Sequence, residues 1–349
     1  MSKVTVFGAG AWGSTMAQVL SDAGNDVLLW GRSQQVIDEI NSSHTNTKYL
    51  SSHILPSAIA ATTDLAAAFS FSDIYILAIP AQQIRTTLQE WKGNFSSDCT
   101  IVSTLKGIEI SSQMRMTEVV VDVLGPHKIA IITGPNLADE LVLRQPAGAV
   151  AAASTTELAE FIRDLFRTPY YRVYTSVDVM GCELAGAIKS VIALAVGISI
   201  GMGFGENTQA MLITRGLNEV ARLCAAHGSD PLSAAGLAGM GDLVASCGSP
   251  LSRNRTFGEV LGRSGSMAKA RTFGEALGRS GSMAKAREQV SKTVEGVASA
   301  GAVVEIAHRV GVEVPVIEAV AEIVSEQLSP ADALQKLMEI TTKGENFIR

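Results

Sequence analysis

The chain has 349 residues, enough for two domains, and 47% of them are hydrophobic, so it can bury a sizeable core. A net charge of −6 argues against a general nucleic-acid surface but leaves room for a local basic site that takes a small phosphorylated molecule. Cys99, Cys182, Cys224 and Cys247 are widely spaced with no C-x-x-C pair, which excludes a zinc ribbon or a redox dithiol and suits reduced thiols in a cytoplasmic protein; no metal site is expected.

The first elements are a β-rich run, Val4-Thr5-Val6-Phe7, the stretch Gly8-Ala9-Gly10-Ala11-Trp12-Gly13, and a helical run from Ser14 to Ala23. This is G-x-G-x-x-G between a strand and a helix, the context in which the pattern binds a dinucleotide. Gly8 permits the turn, Gly10 lets the backbone approach a pyrophosphate, and Gly13 lets helix and strand pack closely. The unpaired N–H groups and positive dipole end of the helix start suit phosphates. No signal peptide is expected ahead of this strand. Asp26 to Trp30 is the second strand, followed by Gly31-Arg32-Ser33. NAD-specific proteins usually place a carboxylate here for the ribose 2′-hydroxyl. Arg32 can instead stack on adenine or bind a 2′-phosphate, so NADP is expected and NAD stays open.

Further along, Val36 to Asn41 reads as helix, His44 to Leu55 as an irregular polar loop, Ala58 to Thr62 as a short strand and Asp64 to Phe69 as helix. Ile74 to Ile79 is the continuous apolar run of a strand covered on both faces, and Pro80-Ala81 ends it at the level where ligands bind. Helix Ile84 to Trp91 and strand Thr100 to Thr104 follow. Lys106 then leaves the strand's carboxyl end, where open parallel sheets put ligand groups. After helix Gln113 to Leu124 and strand Lys128 to Thr133, Gly134-Pro135-Asn136-Leu137-Ala138-Asp139-Glu140 forms a turn and helix start that can approach a ligand. Strands Ala147 to Ala153 and Tyr171 to Tyr174 flank helix Leu158 to Phe166. The alternation predicts a doubly wound α/β domain over residues 1–180.

Residues 181–349 read as an all-helical second domain. Val179 to about Gly203 is one apolar helix; its most apolar part, Val191 to Met202, is short and glycine-broken, which suits a buried helix and not a membrane span. Thr208 to His227 is the next, with Met211, Leu212, Leu217, Val220 and Leu223 on its core face. Val297 to Val310, Ile317 to Glu326 and Ala331 to Glu339 complete the set, with Pro315 and Pro330 near two of the starts. Apolar helices of this kind could support a homodimer. Residues 255–286 hold a tandem duplication: RTFGEVLGRSGSMAKA is followed by RTFGEALGRSGSMAKA, differing only at Val260 against Ala276. Sixteen residues rotate a helix face by about 160°, so one copy is expected to pack while the other forms a surface excursion.

Three groups carry chemistry. Lys189 lies inside the apolar helix, and an ammonium buried among apolar groups gives up its proton more readily, as a general acid/base requires. Asp242 sits in the glycine-flanked stretch Gly239-Met240-Gly241-Asp242-Leu243. Ser252-Arg253-Asn254-Arg255 gathers a hydroxyl, guanidinium groups and an amide, a set suited to a phosphate ester.

In order and spacing, GAGAWG (8–13), the lysine-glycine pair (106–107), GPNLADE (134–140), ELAGAIK (183–189), GLAGMGDLVASC (236–247), SRNR (252–255) and VEG (294–296) cover nearly the whole chain. Together they resemble the NAD(P)-dependent glycerol-3-phosphate dehydrogenases of the soluble bacterial type. The resemblance implies a Rossmann-type domain followed by a helical domain of the 6-phosphogluconate dehydrogenase-like kind, and reversible hydride transfer between a nicotinamide and the dihydroxyacetone phosphate/sn-glycerol 3-phosphate pair, supplying phospholipid synthesis. It implies that Lys189 is the proton donor and acceptor, that Lys106 contacts substrate and cofactor, and that Asp242 orients Lys189 and the polyol. Gly134, Asn136, Ser252, Arg253 and Asn254 would hold the substrate and its phosphate; Trp12, Arg32, Ala138, Arg253, Val294 and Glu295 would line the cofactor site with Gly8, Gly10 and Gly13. Two residues depart from the family pattern: Ala11 stands where serine is frequent, leaving the phosphate grip to backbone donors, and Ser190 replaces the asparagine common after the lysine. A different β-hydroxyacid dehydrogenase is the rival enzyme reading, disfavoured by the SRNR cluster. A non-catalytic nicotinamide sensor would not need Lys106, Lys189 and Asp242.

Overall fold

The computed structural model describes residues 1–277 and 294–339. Its strands are β1 (Lys3–Phe7), β2 (Asp26–Trp30), β3 (Ala60–Thr62), β4 (Ile74–Leu77), β5 (Thr100–Ser103), β6 (Lys128–Thr133), β7 (Ala147–Ala153) and β8 (Tyr171–Ser176). They form one sheet in the order β3-β2-β1-β4-β5-β6-β7-β8. Successive residues of a strand point to opposite faces, and here both faces are covered. Val4, Val6, Ile76 and Val102 enter one core, while Phe7, Tyr75, Leu77 and Ile101 enter the other. That is why these strands carry apolar residues toward both faces and not at alternate positions only.

The covering helices are α1 (Ala11–Asp22), α2 (Gln34–Ser43), α3 (Thr47–Leu50), α4 (Leu65–Phe71), α5 (Ile84–Trp91), α6 (Met116–Leu124), α7 (Ala138–Leu141) and α8 (Thr156–Phe166). The first six sheet positions run parallel, so β1, β2, β4, β5 and β6 end at the same edge. The order reverses between β1 and β4, which makes their carboxyl ends the switch point where doubly wound sheets bind ligands. The sheet is not parallel throughout: β7 is antiparallel to β6 and parallel to β8.

The chain divides into two units. One comprises residues 1–106 and 114–179; the other comprises 107–113 and 180–349. The sequence reading assigned 107–113 to the first domain. The apolar side chain of Ile108, fully buried in the helical unit's core, explains why that segment counts with the second.

The helical unit is built on α9 (Val179–Gly201), followed by α10 (Glu206–Ala226), α11 (Asp242–Gly248), α12 (Arg253–Ser264) and α13 (Met267–Leu277), then the helices Glu295–Arg309, Pro315–Val324 and Pro330–Glu339. By length and composition α9 could cross a membrane, but 83% of its apolar window is buried inside the protein. It is the central helix of this core. Its C-terminal half meets α12 backbone to backbone. A Cβ added at Gly197 would lie 2.0 Å from the Arg255 carbonyl oxygen, and one at Gly201 2.0 Å from that of Glu259. Reciprocally, Gly258 and Gly262 face the carbonyl oxygens of Leu194 and Ile198 at 2.3 and 2.1 Å. This packing uses the first copy of the duplicated stretch, whose Phe257, Leu261, Met267 and Ala270 are buried. Of the second copy, 271–277 continue α13 and 278–286 lie outside the described residues, so the expected excursion falls there and is not described.

One carboxylate in this core has an unusual setting. Glu219 of α10 is buried and accepts the backbone N–H groups of Val316 (2.8 Å) and Ile317 (3.1 Å), in the first turn of the helix that Pro315 opens. It therefore caps a helix from across the core. Burial pushes its carboxyl up to about 8, against the pull of those two N–H groups and of Arg222. A folded-state value above the unfolded one means stability is fully present below pH 4.5 and is lost as pH rises toward 8. In urea unfolding, the stability difference between Glu219→Gln and the unsubstituted protein should shift in the variant's favour from pH 5 to 8 and level off above that. A difference independent of pH would contradict this account.

Candidate active site

In the sheet unit the glycine stretch behaves as three different residues. Gly8 has φ +121°, and a Cβ there would lie 2.4 Å from the carbonyl oxygen of Ala78, just past β4. At Gly13 a Cβ would stand 1.7 Å from the Gly8 carbonyl oxygen, so this glycine lets α1 rest on the turn. Gly10 differs from both. Its φ is −80°, open to any residue, and nothing lies within 4 Å of a Cβ built on it. The first and third glycines are needed by the protein's own packing, whereas the second leaves a space beside the unpaired N–H groups of the helix start.

The same edge of the sheet carries the other expected residues of this unit. Arg32 is exposed, two residues beyond the end of β2. Trp12 lies in the first turn of α1, and Ala138 opens α7. Lys106, beyond β5, donates from Nζ to the Gly134 carbonyl oxygen at 2.8 Å. Gly134 itself has φ +144°, and a Cβ there would come within 2.9 Å of the Gly148 carbonyl oxygen. Asn136 follows with both amide atoms buried and without a partner among the described residues. A buried amide left unsatisfied is costly, so this one is suited to a ligand that supplies both a donor and an acceptor.

In the helical unit Lys189 points across to α11. Its Nζ donates to Asp242 Oδ1 at 2.9 Å and to Ser246 Oγ at 2.7 Å. The pair is well buried, with the lysine side chain 13% and the aspartate side chain 4% exposed. Asp242 is placed by the π-helical turn Leu237–Gly241 that leads into α11, where Gly239 is pressed against the Ala234 carbonyl oxygen. Ser246 was not singled out in the sequence. The signal was there: four residues after Asp242, it falls on the same helix face.

On α9, next to Lys189, the Ser190 carbonyl oxygen would be 2.4 Å from a Cβ on Gly296. Gly296 in turn donates its N–H to Asn254 Oδ1 at 2.9 Å. The starts of α12, capped by Ser252, and of the Glu295–Arg309 helix, which follows Val294, thus converge beside the lysine. Asn254, Val294 and Glu295 come with them, while Arg253 is exposed in the first turn of α12. Two further polar atoms here, Ser190 Oγ and Arg255 Nε, are buried without a partner among the described residues. A helix N-terminus favours an anion, and two such starts meet here. Cys247, nearby, is an inert thiol: burial pushes it up to about 12, against the pull of Lys189 and Arg255. Among the described residues no three His, Cys, Asp or Glu side chains gather as a metal site would need.

Comparison with known proteins gives the family. The family model for the NAD-dependent glycerol-3-phosphate dehydrogenase N-terminus matches residues 3–159. The model for the C-terminus of the same family matches 178–270 and 264–335, two stretches that overlap inside the duplication. The chain belongs to the NAD(P)-dependent glycerol-3-phosphate dehydrogenase family. Similar relatives include the glycerol-3-phosphate dehydrogenase [NAD(P)+] of Thermobifida fusca, 45% identical over 350 residues with 99% of each chain covered. That of Streptomyces avermitilis is 47% identical over 345 residues, with 98% of each covered. Among solved structures, the glycerol-3-phosphate dehydrogenase of Coxiella burnetii superposes with a TM-score of 0.84 at 30% identity, covering 97% of this chain and 99% of that one. The protein is thus an oxidoreductase with NAD(P) as its coenzyme.

The open side of Gly10 fits such a coenzyme, because the pyrophosphate needs room at that point and nothing in the protein fills it. Gly10→Ala should therefore leave the apo-protein's thermal unfolding almost unchanged, within about 0.5 kcal/mol, while weakening coenzyme binding about tenfold or more. Gly13→Ala, by contrast, should destabilise the apo-protein itself. Calorimetric titration with NADPH alongside thermal melts separates the two effects.

Proposed function

We propose that the protein interconverts dihydroxyacetone phosphate and sn-glycerol 3-phosphate, with Lys189 as the proton donor and acceptor at the substrate oxygen. The observation that carries this reading is the ammonium held by Asp242 and Ser246. Lysine has three N–H donors. Two are taken by these partners, and the third is left for the substrate.

When bound, the nicotinamide supplies hydride to the substrate carbon or takes it back. The protein's task is to manage the oxygen on that carbon. In reduction the Lys189 ammonium polarises the carbonyl and delivers its proton as charge develops there. Asp242 fixes the direction of the ammonium, and Ser246 completes the aim. Asn254, Ser252 and Arg253, with the two converging helix starts, take the phosphate, whose binding energy is spent away from the reacting carbon. By the family resemblance, Lys106 contacts substrate and coenzyme and Asn136 contacts the substrate. The product suits the supply of glycerol 3-phosphate to phospholipid synthesis in the cytoplasm, and four cysteines buried as thiols agree with a reducing compartment.

Loss of NADPH or NADH absorbance with dihydroxyacetone phosphate tests the assignment. Turnover should be present in the unsubstituted protein and fall by about 10²–10⁴ in Lys189→Ala. No turnover by the former overturns the reaction, and full activity in the latter overturns the acid/base role. Exposed Arg32 supports a 2′-phosphate partner and hence a preference for NADPH. Arg32→Glu should raise KM for NADPH about tenfold, the effect of losing one charge-assisted hydrogen bond, with little change for NADH.

A further inference from the structure

A residue outside the glycine stretch governs how that stretch presents its donors. Asn46 is fully buried and lies behind the loop. Its Nδ2 donates to the Ala9 carbonyl oxygen at 3.1 Å and to Ser14 Oγ at 2.9 Å. The residues on either side are clamped from α2, where Glu39 Oε1 accepts Thr45 Oγ1 at 2.8 Å and the Thr47 N–H at 2.7 Å. The Asn46 carbonyl oxygen receives the Tyr49 and Leu50 N–H groups, starting α3. Leu50 and Leu55 anchor the segment in the core. Thr45 pairs with Ile54, and the Leu55 N–H reaches the His44 carbonyl oxygen. Residues 44–55 therefore form a strap whose inward point is one amide.

The consequence follows from peptide geometry. There is no cis peptide among the described residues, and in a trans peptide the carbonyl and the next N–H point in opposite directions. Holding the Ala9 carbonyl back toward Asn46 therefore turns the Gly10 N–H outward, away from the strap. A carbonyl facing the other way would set an acceptor against a phosphate.

We propose that Asn46 is a positioning residue for the coenzyme, aiming the Gly10 N–H at the pyrophosphate by pinning the Ala9 carbonyl. The proposal rests on the reading that the 8–13 loop receives the dinucleotide. Because the pyrophosphate is common to both coenzymes, the effect does not distinguish NADPH from NADH. Ala9's carbonyl can only accept, so an oxygen in place of the amide nitrogen is worse than nothing.

The test is direct calorimetric titration of NADPH and NADH into the full-length protein and into Asn46→Ala, Asn46→Asp and Glu39→Gln, beside KM for dihydroxyacetone phosphate and kcat at saturating coenzyme. Expected are rises in Kd of about tenfold for Asn46→Ala and at least as much for Asn46→Asp, equal for both coenzymes, with substrate KM and kcat within about threefold. Glu39→Gln, which weakens the clamp, should raise both Kd values about threefold; it decides the matter if the Asn46 variants do not fold. Unchanged Kd in a folded Asn46 variant, or in Glu39→Gln when that variant must decide, overturns the proposal, as does a parallel loss in substrate KM. If the unsubstituted protein bound neither coenzyme, the reading beneath the proposal would fall with it, an outcome distinct from the others.

Discussion

Both units depend on main chain meeting main chain at points where a side chain cannot stand. In the sheet unit, Gly13 rests on the Gly8 carbonyl, and Gly8 on that of Ala78. Helix α1 can then start directly at the carboxyl ends of β1 and β4. In the helical unit, Gly197 and Gly201 interlock with Gly258 and Gly262 so closely that any Cβ would fall about 2 Å from a carbonyl oxygen. Interiors are close-packed, and a contact at that distance can be relieved only by moving a helix. The α9–α12 crossing is thereby held close. With it is held the start of α12, where Ser252 and Asn254 lie, relative to Lys189 on the same α9.

The cost of this arrangement is concentrated at the lysine. An ammonium buried in an apolar helix loses its hydration, and the loss is offset only by a well-placed counter-charge and by hydrogen bonds for the remaining donors. Asp242 and Ser246 meet both needs from successive turns of one helix. Leaving either charge of a buried pair unpartnered costs about 3–5 kcal/mol, so Asp242 is tied to the stability of the core. Asn136 in the sheet unit shows the complementary state, a buried amide whose needs the protein itself does not meet.

Much of this was legible in the chain. The strand–glycine–helix opening, the alternation to residue 180 and the apolar helix around Lys189 follow from local pattern, and the ordered motifs pointed to the family. Other features were not legible. The Gln113 to Leu124 run reads as helical, yet α6 starts only at Met116, because Glu118 caps the backbone N–H of Arg115. The reversal of β7 is invisible because a buried strand of Ala and Val, as in Ala147–Ala153, looks the same whichever way it runs. Residues 107–113 look like a loop of the first domain, and only the burial of Ile108 assigns them to the second unit. Asn46 sits in a stretch that reads as polar loop, since nothing local distinguishes an asparagine that caps a turn from one that reaches 37 residues back to Ala9.

The sequence by itself determined which groups are present: a glycine-rich turn between a strand and a helix, a lysine inside an apolar helix, a carboxylate in a glycine-flanked stretch, and a cluster of hydroxyl, guanidinium and amide groups. These are properties of residue type and local spacing, and short-range geometry preserves them. Only the tertiary structure decided which groups meet. It set Ser246 beside Lys189, joined Asn254 to Gly296, and placed the Asn46 amide behind Ala9. Each of these contacts spans 37 to 57 residues of chain. At such separations the outcome is set by how helices and strands pack, which no local pattern encodes.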